Sequence, residues 1–223
     1  MTDSFVKKLA NSEIENSLAN KLRLRRFRFF EELCNTLQKP IKILDVGGTI
    51  DYWEKMRFIN REGVFITLLN LQKEDVNYKN FSSVTGDARN LSEFKDKEFD
   101  VVFSNSVIEH VGSFDDQRKM AREIQRVGRY FYVQTPNYYF PLEPHFFFPF
   151  FQMLPVKIRI FLLMNLRLGW SGRKYSDREE ALKAATSVRL LKQKELKQLF
   201  PDADLIKEKL LGLNKSFILI SKY

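Results

Sequence analysis

The chain has 223 residues, 44% of them hydrophobic and 29% charged, which suits a single α/β domain with a full core and some additions. Its one cysteine, Cys34, excludes an intramolecular disulfide and gives no support to a zinc cluster. A formal net charge of +9 brings nucleic acid and anionic surfaces forward as partners to be weighed against the motifs.

Residues 1–39 read as a helical extension. Met1 to Ala10 carries Lys7 and Lys8 with no apolar core behind them, so no signal peptide is expected and a cytoplasmic location follows. From Lys21 to Arg28 basic residues interleave with leucine and phenylalanine at amphipathic-helix spacing. Such a helix would grip phosphates or an anionic membrane, or lie as a solvated face whose arginine stems cover a sheet. Cys34 falls in the helical pattern Phe30 to Leu37, where a buried thiol is expected.

Residues 40–137 carry four apolar runs that each stop at polar or small residues. Ile41-Lys42-Ile43-Leu44 ends in Asp45-Val46-Gly47-Gly48, and Val64 to Leu69 ends at Asn70. The stretch at Ser83 to Thr85 ends in Gly86-Asp87-Ala88, and Phe99 to Phe103 ends in Ser104-Asn105-Ser106-Val107-Ile108-Glu109-His110. Short, continuously apolar runs are expected of parallel strands covered on both faces. In an open α/β sheet the ligand sits at the carboxyl ends of the strands, where strand order reverses, so these polar endings mark a cofactor mouth. A helix is predicted over Ser113 to Val127, with Asp115 and Asp116 at its start and Arg126 at its end, followed by a fifth strand over Tyr130 to Val133.

Residues 138–186 form an insertion rich in phenylalanine. Prolines 141, 144, 149 and 155 break any continuous helix, and Lys157, Arg159 and Arg167 interrupt the apolar run, so a cap or a membrane-surface patch is expected rather than a span. Residues 187–223 complete the core. A strand through Ile206 to Lys209, a turn near Gly212-Leu213-Asn214 and a strand over Phe217 to Ile220 are joined so closely that they must pair antiparallel.

Together, Leu44-Asp45-Val46-Gly47-Gly48, Gly86-Asp87-Ala88 and Phe99 to Asn105 with Glu109-His110-Val111 resemble the motifs of class I S-adenosylmethionine-dependent methyltransferases, over roughly residues 40 to 221. The resemblance is to the broad group that methylates small molecules, lipids and glycans. It implies a Rossmann-like, mostly parallel doubly wound sheet with an antiparallel C-terminal strand, and S-adenosylmethionine as cofactor. It also implies a cofactor site at Asp45, Gly47, Gly48, Asn70, Asp87, Ala88 and Asn105. There the backbone around Gly47 would cradle the methionine portion, Asn70 would lie near the ribose, and Asp87 would accept from the adenine amino group. Two departures stand out: Thr49 and Asp51 occupy the later glycine positions of the first motif, and Asn70 stands where the family carries an acid.

Methylating a hydroxyl requires removal of its proton, and the chain has only two histidines. His145, in Glu143-Pro144-His145 just after strand five, is the expected base, with Glu143 orienting it; His110 is expected near the cofactor edge. Two imidazoles with no third ligand evident nearby give no metal site. The expected acceptor is a small-molecule, glycan-like or lipid-linked hydroxyl, with peripheral contact to an anionic membrane as a further expectation. Two alternatives stay open. An RNA methyltransferase is favoured by the charge, although Ser104-Asn105-Ser106-Val107 lacks the Asn/Asp-Pro-Pro-aromatic turn of the amino-methylating DNA enzymes. A non-catalytic module keeping the fold is favoured by the degenerate glycines and Asn70.

Overall fold

The computed structural model describes residues 17–170 and 172–222; the part of the N-terminal extension before Ser17, including the segment read for a signal peptide, lies outside them. The first helix, α1 (Leu18–Asn35), opens at Ser17, whose hydroxyl accepts from the Asn20 main-chain N–H at 3.0 Å. Leu22, Phe27, Phe30, Leu33 and Cys34 recur at three- and four-residue intervals and form its buried stripe. The basic run divides around that stripe. Lys21, Arg25 and Arg28 are exposed, whereas Arg26 turns inward and pairs with the buried Glu208 at 3.1 Å.

Seven strands make one sheet: β1 (Ile41–Val46), β2 (Val64–Asn70), β3 (Phe81–Thr85), β4 (Phe99–Asn105), β5 (Gly128–Pro136), β6 (Ala203–Leu210) and β7 (Leu213–Ser221). Their spatial order is β3-β2-β1-β4-β5-β7-β6, parallel from β3 to β5, with β7 antiparallel to both β5 and β6. Winding reverses between β1 and β4, which are neighbours with Leu44 opposite Val102 and Asp45 opposite Phe103. The third, fifth and sixth strands run longer than the sequence suggests: β3 begins at the buried Phe81, β5 runs on through polar residues to Pro136, and β6 begins at Ala203. The hairpin also turns one step earlier than the Gly-Leu-Asn triplet suggests. Leu211 and Gly212 both take left-handed φ, 51° and 79°, the geometry of a two-residue hairpin turn, which leaves Leu213 free to start β7.

Both sheet faces are covered. On one side lie α1 and the short α2 (Ile50–Lys55), over a cluster in which Trp53, Phe27, Phe30, Phe58 and Phe103 are all buried. On the other lies α3 (Phe114–Val127), which presents Met120, Ala121, Ile124 and Val127, with Leu196 and Leu199 of α6 (Gln193–Leu199) in the same core. Ser113 caps α3 reciprocally with Asp116. The segment between β5 and α6 contains α4 (Val156–Asn165) and α5 (Arg178–Thr186), which pack around Phe151, Ile160, Leu163, Ala181 and Ala185 as a small core of their own. Among the described residues no helix is long and apolar enough to cross a membrane.

Candidate active site

Two cavities open at the carboxyl edge of the sheet. The first, about 470 Å³, is bounded by the ends of β1, β2, β3 and β4, and Gly47, Asn70, Asp87 and Ala88 line it together with Val107 and His110. Gly47 is required there: its φ is +79°, and a Cβ would sit 2.6 Å from Val107 Cγ2. Asn70 donates from Nδ2 to the Gly48 carbonyl at 2.8 Å, so it pins the glycine turn while keeping its oxygen for another donor. Asp87 faces the cavity already gripped by Arg89, through Nε at 2.9 Å and Nη2 at 2.6 Å, and this guanidinium, with the Arg89 main-chain N–H, holds its carboxyl below the usual carboxylate range.

Asp45, Gly48 and Asn105, expected in the same site, do not line this cavity. Asp45 is 1% exposed and accepts from Trp53 Nε1 at 2.7 Å. A Cβ on Gly48 would lie 1.5 Å from Asp45 Oδ2, so this glycine leaves room for the carboxyl beneath the turn. The Asn105 side-chain oxygen Oδ1 is buried with no hydrogen-bond partner among the described residues. Burial pushes Asp45 up to about 8; the Trp53 bond pulls it back and the Glu74 charge adds to the rise. From that follows a pH dependence. Asp45 releases its proton near 3.8 in an unfolded chain and near 8 in the folded one, so its stabilisation is complete below 3.8 and fades as pH rises to 8. The slope is at most about 1.4 kcal/mol per pH unit. Asp45→Asn has nothing to titrate. Urea unfolding of both proteins from pH 5 to 8 should show the wild type losing ground steadily against the variant, and a pH-independent difference would mean that Asp45 is ionised when folded.

The second cavity, about 400 Å³, lies between β4, β5, α1 and the cap. Phe140, Leu142, Phe147 and Trp170 form apolar walls, Arg26 and Lys215 bring positive charge, and His145 sits on its lining. Ser106 lines this cavity and its neighbour Val107 lines the other. Ser106 takes a left-handed φ of 59° and is held by Gln134, whose main-chain oxygen accepts from its N–H at 2.9 Å and whose Oε1 accepts from its hydroxyl at 2.8 Å. The cavities meet at the histidines. The rings of His110 and His145 stand edge to face with centroids 4.8 Å apart.

Glu143, 2% exposed, organises the cap side of this junction. Its Oε1 lies 2.6 Å from His145 Nδ1, while Oε2 accepts from the main-chain N–H groups of His145 and Phe146 at 2.8 and 2.7 Å. Burial draws the His145 pKa down, but the Glu143 hydrogen bond and charge, with Glu109 behind, outweigh it and the net shift is upward. His110 moves the other way through burial and the neighbouring His145. Sequence reading named the motif containing Glu109 without giving this residue a role. It is fully buried, accepts from the Thr135 hydroxyl at 3.0 Å, and is pushed by burial up to about 7. A carboxylate next to one of the chain's two histidines was the available clue; its partner Thr135, 26 residues away, was not.

An open sheet with its cavity at the winding reversal defines a nucleotide-cofactor-type α/β fold. Residues 49–130 match a family model described as a methyltransferase domain. An uncharacterized protein of Mycobacterium tuberculosis is 39% identical over 56 residues, 25% of this chain and 19% of its own length. The chain thus spans under a fifth of that relative. Among solved structures, the N-terminal domain of EvdMO1 with S-adenosylhomocysteine bound superposes with a TM-score of 0.54 at 14% identity, over 90% of this chain and 80% of that one. The CurJ carbon methyltransferase gives 0.54 at 13% identity, over 89% and 53%. The chain shares the fold of S-adenosylmethionine-dependent methyltransferases, and its residues 49–130 are similar to a methyltransferase domain.

Proposed function

We propose that the chain transfers the methyl group of S-adenosylmethionine to a hydroxyl oxygen of a small, glycan-like or lipid-linked acceptor. The observation that carries this reading is the meeting of the two cavities at the His110 and His145 rings. The first cavity suits the cofactor: the Gly47 turn is clear of any Cβ, Asn70 keeps an acceptor oxygen, and Asp87 offers a carboxylate edge beside Ala88. Gly47 would cradle the methionine part, Asn70 would meet a ribose hydroxyl, and Asp87 would accept from the adenine amino group. Bound there, the cofactor supplies a sulfonium methyl that needs no further activation.

The protein's own work is then to orient the acceptor and dispose of one proton. The apolar walls of the second cavity suit a compact or lipid-linked acceptor better than a polyanion, which weighs against RNA. His145 is the group its hydroxyl meets, with Glu143 fixing the ring so that Nε2 is available.

Calorimetric titration with S-adenosylhomocysteine tests the cofactor half. Micromolar-range binding is expected for the wild type, and Asp87→Ala should weaken it about 10- to 150-fold, the worth of one charge-assisted hydrogen bond of about 1.5–3 kcal/mol. No heat from the folded wild type would leave a non-catalytic module with this fold. Unchanged affinity in the folded variant would remove Asp87 from the site.

A further inference from the structure

We propose that Glu109, His110 and His145 form a binding site for a divalent transition-metal ion at the junction of the two cavities. One ligating atom from each residue lies within 4.8 Å of the others. Glu109 and His110 are adjacent in the 3₁₀ turn (Ile108–His110) that follows β4, while His145 comes from the cap. The constellation therefore exists only where the cap meets the sheet edge.

His145 and Glu109 are tethered on their far sides. His145 is fixed through Nδ1 by Glu143 at 2.6 Å, which leaves Nε2 for a ligand. Glu109 Oε2 accepts from the Thr135 hydroxyl, whereas Oε1 is buried with no hydrogen-bond partner among the described residues. An orphaned carboxylate oxygen in a buried site is costly, and a cation between it and two imidazoles removes that cost. Anchoring the second nitrogen of an imidazole on a carboxylate or main-chain group is how metal-ligating histidines are oriented.

Donor chemistry selects the ion. Two imidazoles and one carboxylate favour zinc, iron or cobalt over magnesium and calcium, which prefer all-oxygen shells. In a tetrahedral shell with metal bonds of about 2.1 Å the donors stand about 3.4 Å apart, so a pair separated by 4.8 Å must draw in by about 1.4 Å, a movement that side-chain torsions would supply. Three protein ligands leave coordination positions open. A hydroxyl reaching the ion from the acceptor cavity would be polarised and would release its proton to water, leaving the oxygen ionised. This role rests on the methyl-transfer reading and makes His145 a ligand rather than a free base.

The test uses the metal-free 223-residue chain, checked for folding by circular dichroism. It is titrated calorimetrically with zinc chloride, and with Co²⁺ while visible absorption is followed. One ion per chain is expected, with a Co²⁺ spectrum of nitrogen and oxygen coordination. His110→Ala, a change at an exposed side chain, should weaken binding at least about 100-fold, and Glu109→Gln likewise. Glu143→Gln, at a residue that touches no ion, should weaken it about 10- to 100-fold. Absence of binding by the wild type, or weak binding unmoved by His110→Ala, overturns the site; should Glu109→Gln fail to fold, His110→Ala decides alone. Parallel titrations with S-adenosylhomocysteine keep the two readings apart. Metal binding without cofactor binding would remove the methyl-transfer role and leave the ion site, and the converse result would remove the ion alone.

Discussion

His145→Ala should lower turnover by about 10² to 10⁴ while affinity for S-adenosylhomocysteine stays nearly unchanged. His145 lines the second cavity, proposed for the acceptor, and the first, proposed for the cofactor, is lined by other residues, so binding and chemistry should separate at this position. The variant should fold, because Glu143 Oε2 keeps the main-chain N–H groups of residues 145 and 146 whether or not the imidazole is present. Whether the ring takes the proton itself or holds the ion that ionises the hydroxyl, alanine supplies neither. The assay is release of S-adenosylhomocysteine with an acceptor identified by screening hydroxylated small molecules, glycans and lipid-linked compounds. Full turnover in the variant would take His145 out of the reaction, and equal losses in turnover and cofactor affinity would make its role structural.

Trp53→Ala should destabilise the chain by about 3–5 kcal/mol, out of a total that for domains of this kind is about 5–15 kcal/mol. The indole is fully buried, with ring centroids 5.2 Å from Phe103, 5.5 Å from Phe58, 5.7 Å from Phe30 and 5.9 Å from Phe27. Truncation opens a cavity that these four surrounding rings cannot close without leaving their rotamers. It also strips Asp45 of its donor. Trp53→Phe isolates that second effect, since it keeps most of the volume and loses only the N–H, for about 1–3 kcal/mol. Urea midpoints of the two variants should fall in that order. A loss below about 1 kcal/mol in Trp53→Ala would show that this cluster is not what holds α2 to the sheet.

The parallel strands were legible because strands covered on both faces must be apolar throughout, and Ile41 to Leu44, Val64 to Leu69 and Phe99 to Phe103 have few other uses. Their endings were also informative, and Gly47, Asn70, Asp87 and Ala88 do come together on one cavity. Asp45 and Asn105 differ for a reason carried by the pleat. Side chains alternate along a strand, so Asp45 shares a face with Ile41 and Ile43, and Asn105 with Val101 and Phe103, all four of which belong to the aromatic core beneath α1 and α2. Their position in the chain marked the sheet edge, while strand parity turned their side chains away from the cavity. The basic run of α1 shows the same limit at helical period: the number of arginines was readable, but the inward turn of Arg26 depends on Glu208, which lies 182 residues further along.

Local patterning by itself therefore determined the parallel strands, the helix α3 and the edge where ligands gather, because each depends on the periodicity and the terminal residues of a short segment, whereas the winding of the sheet was implied by the family resemblance. Only the tertiary structure decided which side chains meet there. The junction joins Glu109 and His110 after β4, Thr135 at the end of β5 and the Glu143–His145 pair from the cap, with Glu109 bonded to Thr135, Glu143 to His145, and the ligating atoms of Glu109, His110 and His145 within 4.8 Å of one another. Such contacts between distant segments arise from the packing of the cap on the sheet, and no spacing within any one segment encodes them.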